Sequence, residues 1–237
     1  MLGVLVTMLL AAAPEPAFAL EACKEQWTPS CEKARAFVEK RKGAPALVAF
    51  KAARLLYLYE DGKPVERAVD LKDYDPLVHT SVATTIRFPV AMALSSHPVG
   101  HKERYADART PEGEYAICQK IAQSEYTFFL SVNFPAQRDV DAAVAQKRFP
   151  EDKMDRVRQS QRSGGCPDFY SALGGAIGIH GAPTAMAADA AAAEVKDPEL
   201  KFVTKNDWTL GCLAVENRHI RFLAKEVKVG TPILIVP

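Results

Sequence analysis

The sequence predicts a strand-dominated α+β domain, and three observations carry that prediction. Short runs rich in β-branched and aromatic residues recur along the chain, each bounded by Gly, Pro, Asp or Asn. Helical periodicity is confined to a few segments placed between those runs. The composition, 48% hydrophobic and 25% charged over 237 residues, suffices for one large core with a polar surface. The expected organisation is a signal peptide over 1–19, an N-terminal helical segment over 20–48 and one large domain over 49–237.

The elements follow in order. Leu2–Ala13 is almost wholly apolar, no charged side chain precedes Glu15, and Ala17-Phe18-Ala19 supplies a small-x-small ending. This predicts a secretory signal peptide cleaved after Ala19, hence a periplasmic or secreted protein. The run is short for a bilayer span and has no Lys or Arg ahead of it, and the competing reading is an N-terminal core helix. Leu20-Glu21-Ala22-Cys23 also resembles a lipobox, which would lipidate Cys23. Glu21 fits that pattern poorly, so simple cleavage ranks above it.

Cys31–Lys42 reads as a helix with Ala34, Phe37 and Val38 on one face, ended by Gly43-Ala44-Pro45. Arg54–Glu60 is strand-like, Asp61-Gly62 is a turn, and Val65–Val69 is the expected hairpin partner. Asp70–Thr80 reads as a loop and Thr84–Leu94 as a strand. Pro98–Gly113 is turn-rich and charged. Strands are expected at Glu114–Ile117 and Tyr126–Val132, then two helices within Gln137–Arg162 divided at Phe149-Pro150. Gly174–His180 reads as a short buried strand and the Ala-rich Ala187–Val195 as a helical insertion. A helix over Arg218–Val227, with Asn217 as its N-cap, and a strand over Thr231–Val236 complete the chain.

A formal net charge of +1 argues against a general nucleic-acid binder. No Cys-x-x-Cys pair or His/Cys cluster suggests a metal, and no cofactor is implied. Five cysteines in an exported chain leave one over after pairing. The simplest assignment is Cys23–Cys31 and Cys118–Cys166 with Cys212 free, although connectivity cannot be read from sequence.

The chemistry concentrates on two segments, Gly178-Ile179-His180-Gly181 and Thr209-Leu210-Gly211-Cys212. A thiolate is the reactive form of cysteine, and a histidine beside it can take the thiol proton. Backbone N–H groups at Gly211 and Cys212 would supply an oxyanion hole, because glycine lets a carbonyl approach closely. By residue type alone, a single cysteine is more often a small buried hydrophobe, and a strand-end histidine more often a structural hydrogen-bonding group.

Three segments resemble the L,D-transpeptidases of bacterial cell walls and occur in the order that family shows. They are Pro98–Glu103 leading to Arg109–Gly113, Gly174–Gly181, and Asp207–Cys212 followed by Asn217 and Val229–Ile233. The resemblance implies a curved β-sheet or sandwich with peripheral helices. It implies Cys212 as nucleophile and His180 as base, with the Gly181 carbonyl orienting the imidazole. His101, Lys102 and Arg109 become candidates for substrate carboxylates, and Thr209 and Gly211 for substrate contact. The implied partners are peptidoglycan stem peptides, with an outer-membrane-anchored lipoprotein as a further one. The sequence departs from the common Ser-His-Gly-Cys-x-Arg pattern at Thr209, Leu210 and Ala214, and has Ala106 and Ala108 where glycines are common. Without the arginine, a hydrolase on the same scaffold stays open as an alternative, and a non-catalytic wall-binding protein is the alternative from another class.

Overall fold

The computed structural model describes residues 23, 28–70, 81–85, 87–94, 99–162, 165–167, 171–183 and 206–237. The expected signal peptide, the loop over 71–80 and the insertion Ala187–Val195 lie outside the described residues.

The chain opens with α1 (Pro29–Glu39), where the Thr28 hydroxyl caps the Cys31 N–H at 3.4 Å and Pro29 occupies the first turn. It is followed by β1 (Ala46–Phe50), β2 (Leu55–Glu60), β3 (Lys63–Pro64), β4 (Glu66–Asp70), β5 (Ser81–Thr85) and β6 (Arg87–Pro89). Next come β7 (Gly113–Ser124), β8 (Thr127–Val132), α2 (Gln137–Ala145) and α3 (Glu151–Arg162). The last elements are β9 (Gly178–His180), β10 (Leu213–Ala214), α4 (Asn217–Glu226) and β11 (Pro232–Val236).

Eight of the strands form the path β10-β9-β8-β7-β11-β1-β2-β3, with β6 also paired to β2 and β4–β5 as a separate ribbon among the described residues. The expected strand-dominated α+β architecture is present. Strand β1 is the element that periodicity did not reveal. It is apolar at every position because both faces of the sheet are covered there. Leu47 and Ala49 face the larger core with Leu56, Leu58, Ile233 and Ile235. Ala46, Val48 and Phe50 face a second core that α1 closes, with Tyr57, Tyr59 and Leu234. The expected division at residue 49 falls inside this strand.

Three other expectations need correction. The Asp61-Gly62 turn forms, with both residues at positive φ, but β3 gives β2 only two pairs and β4 pairs with β5 instead. The expected strand over Thr84–Leu94 divides. Strand β5 pairs with β4, β6 pairs with β2, and Ala91 and Ala93 make isolated bridges to Ala214 and Thr209. Asn217 is not an N-cap. Glu216 holds that position, and the Asn217 side chain turns away from the helix to the Ala182 backbone.

Both Cys23–Cys31 and Cys118–Cys166 are disulfides, and Cys212 is free. The first links Cys23, ahead of α1, to Cys31 within the helix. No described helix is long and apolar enough to cross a membrane.

Candidate active site

Register brings the two chemical segments together. Strands β9 and β10 run parallel with Leu213 opposite Ile179 and Ala214 opposite His180. Cys212, one residue before β10, therefore lies beside Gly178, although the two are far apart in sequence. The Met92 carbonyl accepts the N–H groups of Trp208 and Thr209, and Ala91 exchanges backbone bonds with Ala214.

The 209–212 turn is organised from within. The Thr209 hydroxyl donates to the Cys212 carbonyl at 2.8 Å and accepts the Gly211 N–H at 3.2 Å. The Thr209 hydroxyl thus holds the turn, and the residue also lines the cavity beside Cys212. The Gly211 N–H is likewise engaged, which narrows the expected oxyanion hole to the Cys212 N–H. Gly211 has φ 150°, and a Cβ there would stand 2.7 Å from Ile177 Cδ1 and 2.9 Å from the Arg109 carbonyl oxygen. No side chain fits between those two walls.

His180 is 3% exposed and enclosed by aromatic rings. Phe129 stacks on it at 5.7 Å, with Tyr126 at 4.4 Å and Trp208 edge-on at 5.5 Å. Its Nδ1 lies 2.7 Å from the Gly181 carbonyl oxygen. A carbonyl only accepts, so Nδ1 carries the proton and Nε2 keeps its lone pair. Burial drives the imidazole down to about 4, with the Gly181 bond opposing the shift. The ring is neutral near neutrality and able to accept a proton at Nε2.

Cys212 is partly accessible as a residue, yet its sulfur is desolvated. That pushes the thiol up to about 11, against a backbone hydrogen bond from Gly178 and the nearby Lys102 charge. The thiol donates to the Ala176 carbonyl at 3.3 Å, which also favours the protonated form. Cys212 and His180 open on one pocket of about 660 Å³, walled by Tyr105, Tyr126, Trp208 and Leu210. A thiol and a neutral base lining one cavity can together support acyl transfer.

The other expected site residues fare unevenly. Lys102 lines the pocket, but its Nζ is 2.6 Å from Asp107, and both side chains are nearly buried. Burial alone would raise the Asp107 carboxyl; Lys102 and the N–H groups of Glu103 and Arg104 outweigh it and hold it below its usual range. His101 does not line the pocket. Its Nδ1 accepts the Glu112 N–H at 3.1 Å, and its Nε2 lies 3.5 Å from Asp139. Arg109 contributes its carbonyl to the Gly211 contact, while its guanidinium packs beside Gly100. Asp107 and the aromatic cage of Tyr126 and Phe129 were not anticipated. Their contacts cross between elements, and no local pattern marks them. Ala106 and Ala108 adopt φ of 57° and 50°, the conformation that favours glycine. No group of His, Cys, Asp and Glu suited to a metal occurs among the described residues.

Comparison with known proteins bears on this arrangement. The YkuD family, described as the L,D-transpeptidase catalytic domain, matches residues 44–235. No curated protein matches the chain. Among solved structures, the chain is 19% identical to Bd1075 of Bdellovibrio bacteriovorus, covering 83% of this chain and 49% of that one with TM-score 0.40. It is 17% identical to the helical cell shape determining protein Pgp2 from Campylobacter jejuni, with coverage of 86% and 54% and TM-score 0.41. It is 13% identical to L,D-transpeptidase 3 from Mycobacterium tuberculosis, with coverage of 82% and 61% and TM-score 0.42. The chain thus spans about half the length of the first two. With most of the sheet, both site segments and the 99–112 loop inside the matched range, the chain belongs to the L,D-transpeptidase catalytic-domain family.

Proposed function

We propose that the protein is a cysteine acyltransferase acting on peptidoglycan stem peptides. The observation that carries this reading is a free thiol, Cys212, sharing a pocket with a neutral imidazole anchored at Nδ1. Cys212 Sγ attacks the carbonyl that precedes the terminal D-alanine of a tetrapeptide stem, at the bond from diaminopimelate. The C–S bond forms as the thiol proton passes to Nε2 of His180. His180 returns that proton to the leaving amine as the C–N bond breaks, giving free D-alanine and a thioester on Cys212. With the thiol held up to about 11 and the imidazole down to about 4, the proton rests on sulfur until substrate arrives. Transfer therefore accompanies attack, and the Cys212 N–H, in the same residue as the attacking sulfur, serves as the donor to the developing oxyanion in this reading.

An amine then resolves the thioester: the side-chain amine of a second stem gives a cross-link, a free D-amino acid gives exchange. Water is the second acceptor class, favoured by one observation. Ala214, where relatives often have arginine, is fully buried against Ala91 and Ala182, so β10 sends no cation into the pocket. On that reading the enzyme trims stems or releases a wall-linked lipoprotein. Either reading carries export with it, since stems lie outside the cytoplasm, and two disulfides suit an oxidising compartment.

The test is mass spectrometry of the purified protein with tetrapeptide-rich muropeptides, beside Cys212→Ala. D-alanine release, a Cys212 acyl adduct and dimeric products are the expected outcome. Trimmed products without dimers assign the hydrolase. No Cys212-dependent change removes both readings in favour of a non-catalytic wall-binding role.

A further inference from the structure

Asn217 stands at the start of α4 and is 1% exposed. Its Oδ1 accepts the Ala182 backbone N–H at 2.9 Å and the Thr127 hydroxyl at 3.1 Å. The backbone N–H partner fixes which amide atom is oxygen. Ala182 N and Gly181 O belong to one peptide group, and the oxygen end of that group accepts the His180 Nδ1–H at 2.7 Å. The bonds form one chain: Asn217 Oδ1, the Gly181–Ala182 peptide, then the imidazole. Hydrogen bonding at the N–H end of a peptide polarises its carbonyl and strengthens the bond made there.

Three further features surround that peptide. The Gly181 N–H donates to the Tyr126 carbonyl at 3.1 Å, so the preceding peptide is also held. A Cβ on Gly181 would run into Asn217 Oδ1, so the asparagine fills the space a side chain would need. Thr127, which presents its hydroxyl to Asn217, sits at φ 71°, a rare conformation for a β-branched residue. Helix capping explains none of this, because the Asn217 oxygen points across to another segment.

We infer that Asn217 is a positioning residue for the acyl transfer proposed above, fixing the Gly181–Ala182 peptide and, through it, the Nδ1–H tautomer of His180. In other triads a carboxylate does this directly. Here the orienting group is a neutral carbonyl, and the asparagine keeps that carbonyl from turning. The tautomer matters because only Nε2 is left to accept the thiol proton.

Nitrogen–proton correlation NMR of the full chain, labelled on histidine, reads the tautomer without substrate. The expected result is Nδ1–H at His180 in the wild type and in Asn217→Asp, which keeps the acceptor oxygen. Asn217 Nδ2 has no partner among the described residues, so that substitution removes no other bond. Asn217→Ala is expected to show a mixture with Nε2–H. On stem peptides it should lose about tenfold or more in kcat with KM within about threefold, since tautomer errors act on the chemical step. An unchanged Nδ1–H population in folded Asn217→Ala overturns the inference, as does an Nε2–H imidazole in the wild type. If Asn217→Ala does not fold, Asn217→Asp decides: Nδ1–H there supports the inference and Nε2–H overturns it. A chain that turns over no stem peptide sinks the proposed function alone, because the tautomer is read in its absence.

Discussion

On one side of the pocket, Cys212 and His180 are set by backbone: parallel pairing of β9 with β10, bonds from residues 91 and 92, and a turn closed by its own threonine. On the other side, residues 100–112 have no strand partner and are held by charge. Lys51 is fully buried and its Nζ donates to Gly100 O, Thr110 O and Glu112 Oε1 at 2.7, 2.8 and 2.9 Å. Lys102 and Asp107 form the second pair of that loop. The backbone-built wall carries Cys212 and His180, the groups proposed to react, where small displacements would matter most. The charge-built wall carries side chains that shape the cavity. The two meet where the Arg109 carbonyl abuts Gly211, so the loop also buttresses the turn.

The sharpest way to break this comparison is Lys51→Met. Removing one partner of a buried ion pair leaves the other charge and two carbonyls without their donor, and typically costs about 3–5 kcal/mol. Glu112 keeps some solvent access at 18% exposure, which favours the lower end. Denaturant unfolding should show that loss, and Lys51→Met/Glu112→Gln should lose less than the sum of the single variants. A loss below about 1 kcal/mol would mean that the loop is held by something other than its charges.

Acidification separates the walls by about 2 kcal/mol at pH 5. His180 falls from an ordinary 6.5 to about 4 in the fold. A depressed pKa means the unfolded chain binds the proton first, so its contribution is complete above pH 6.5 and is lost as pH falls toward 4. Asp107 is also depressed, but from 3.8, so the loop pair keeps its contribution through pH 5. His219, likewise lowered to about 4 by burial, adds a similar loss of its own. Stability measured at pH 7 and pH 5 should therefore drop for the wild type, and by about 2 kcal/mol less for His180→Asn. Equal drops would show that His180 is not held neutral by the fold.

The same contrast decides what the sequence made legible. The backbone-built wall is written in short local patterns: Gly-Ile-His-Gly and Thr-x-Gly-Cys each combine a tight backbone with one side chain of candidate chemistry, and the fold brings His180, Gly211 and Cys212 to one pocket. The charge-built wall depends on partners from distant elements. Lys51 lies in the turn after a strand whose apolar run lacks alternation, and nothing near it in sequence names Glu112. His101 and Arg109 sit in a motif-like stretch, yet their side chains serve the loop rather than the pocket. Asn217 was misread for a related reason: asparagine before a helix usually caps it, and only the folded chain brings Ala182 within reach.

The smallest effect is the most discriminating about ion pairs as such. Arg54 reaches Asp207 with two hydrogen bonds, 2.6 Å from NH2 and 3.3 Å from Nε, at the edge of the Cys212 wall. The geometry is bidentate, as close as any pair in the loop, but the Arg54 side chain is 45% exposed. Solvent screens such a pair, and exposed pairs contribute about 0.2–1 kcal/mol. Asp207 has a second anchor, since its Oδ1 accepts the Met92 N–H at 3.0 Å, so losing the arginine does not release the carboxylate. Arg54→Ala should therefore cost less than about 1 kcal/mol in denaturant unfolding and leave the alkylation rate of Cys212 unchanged. If it costs as much as Lys51→Met, the backbone is not sufficient to hold the Cys212 wall, and burial is not what separates the two sides of the pocket.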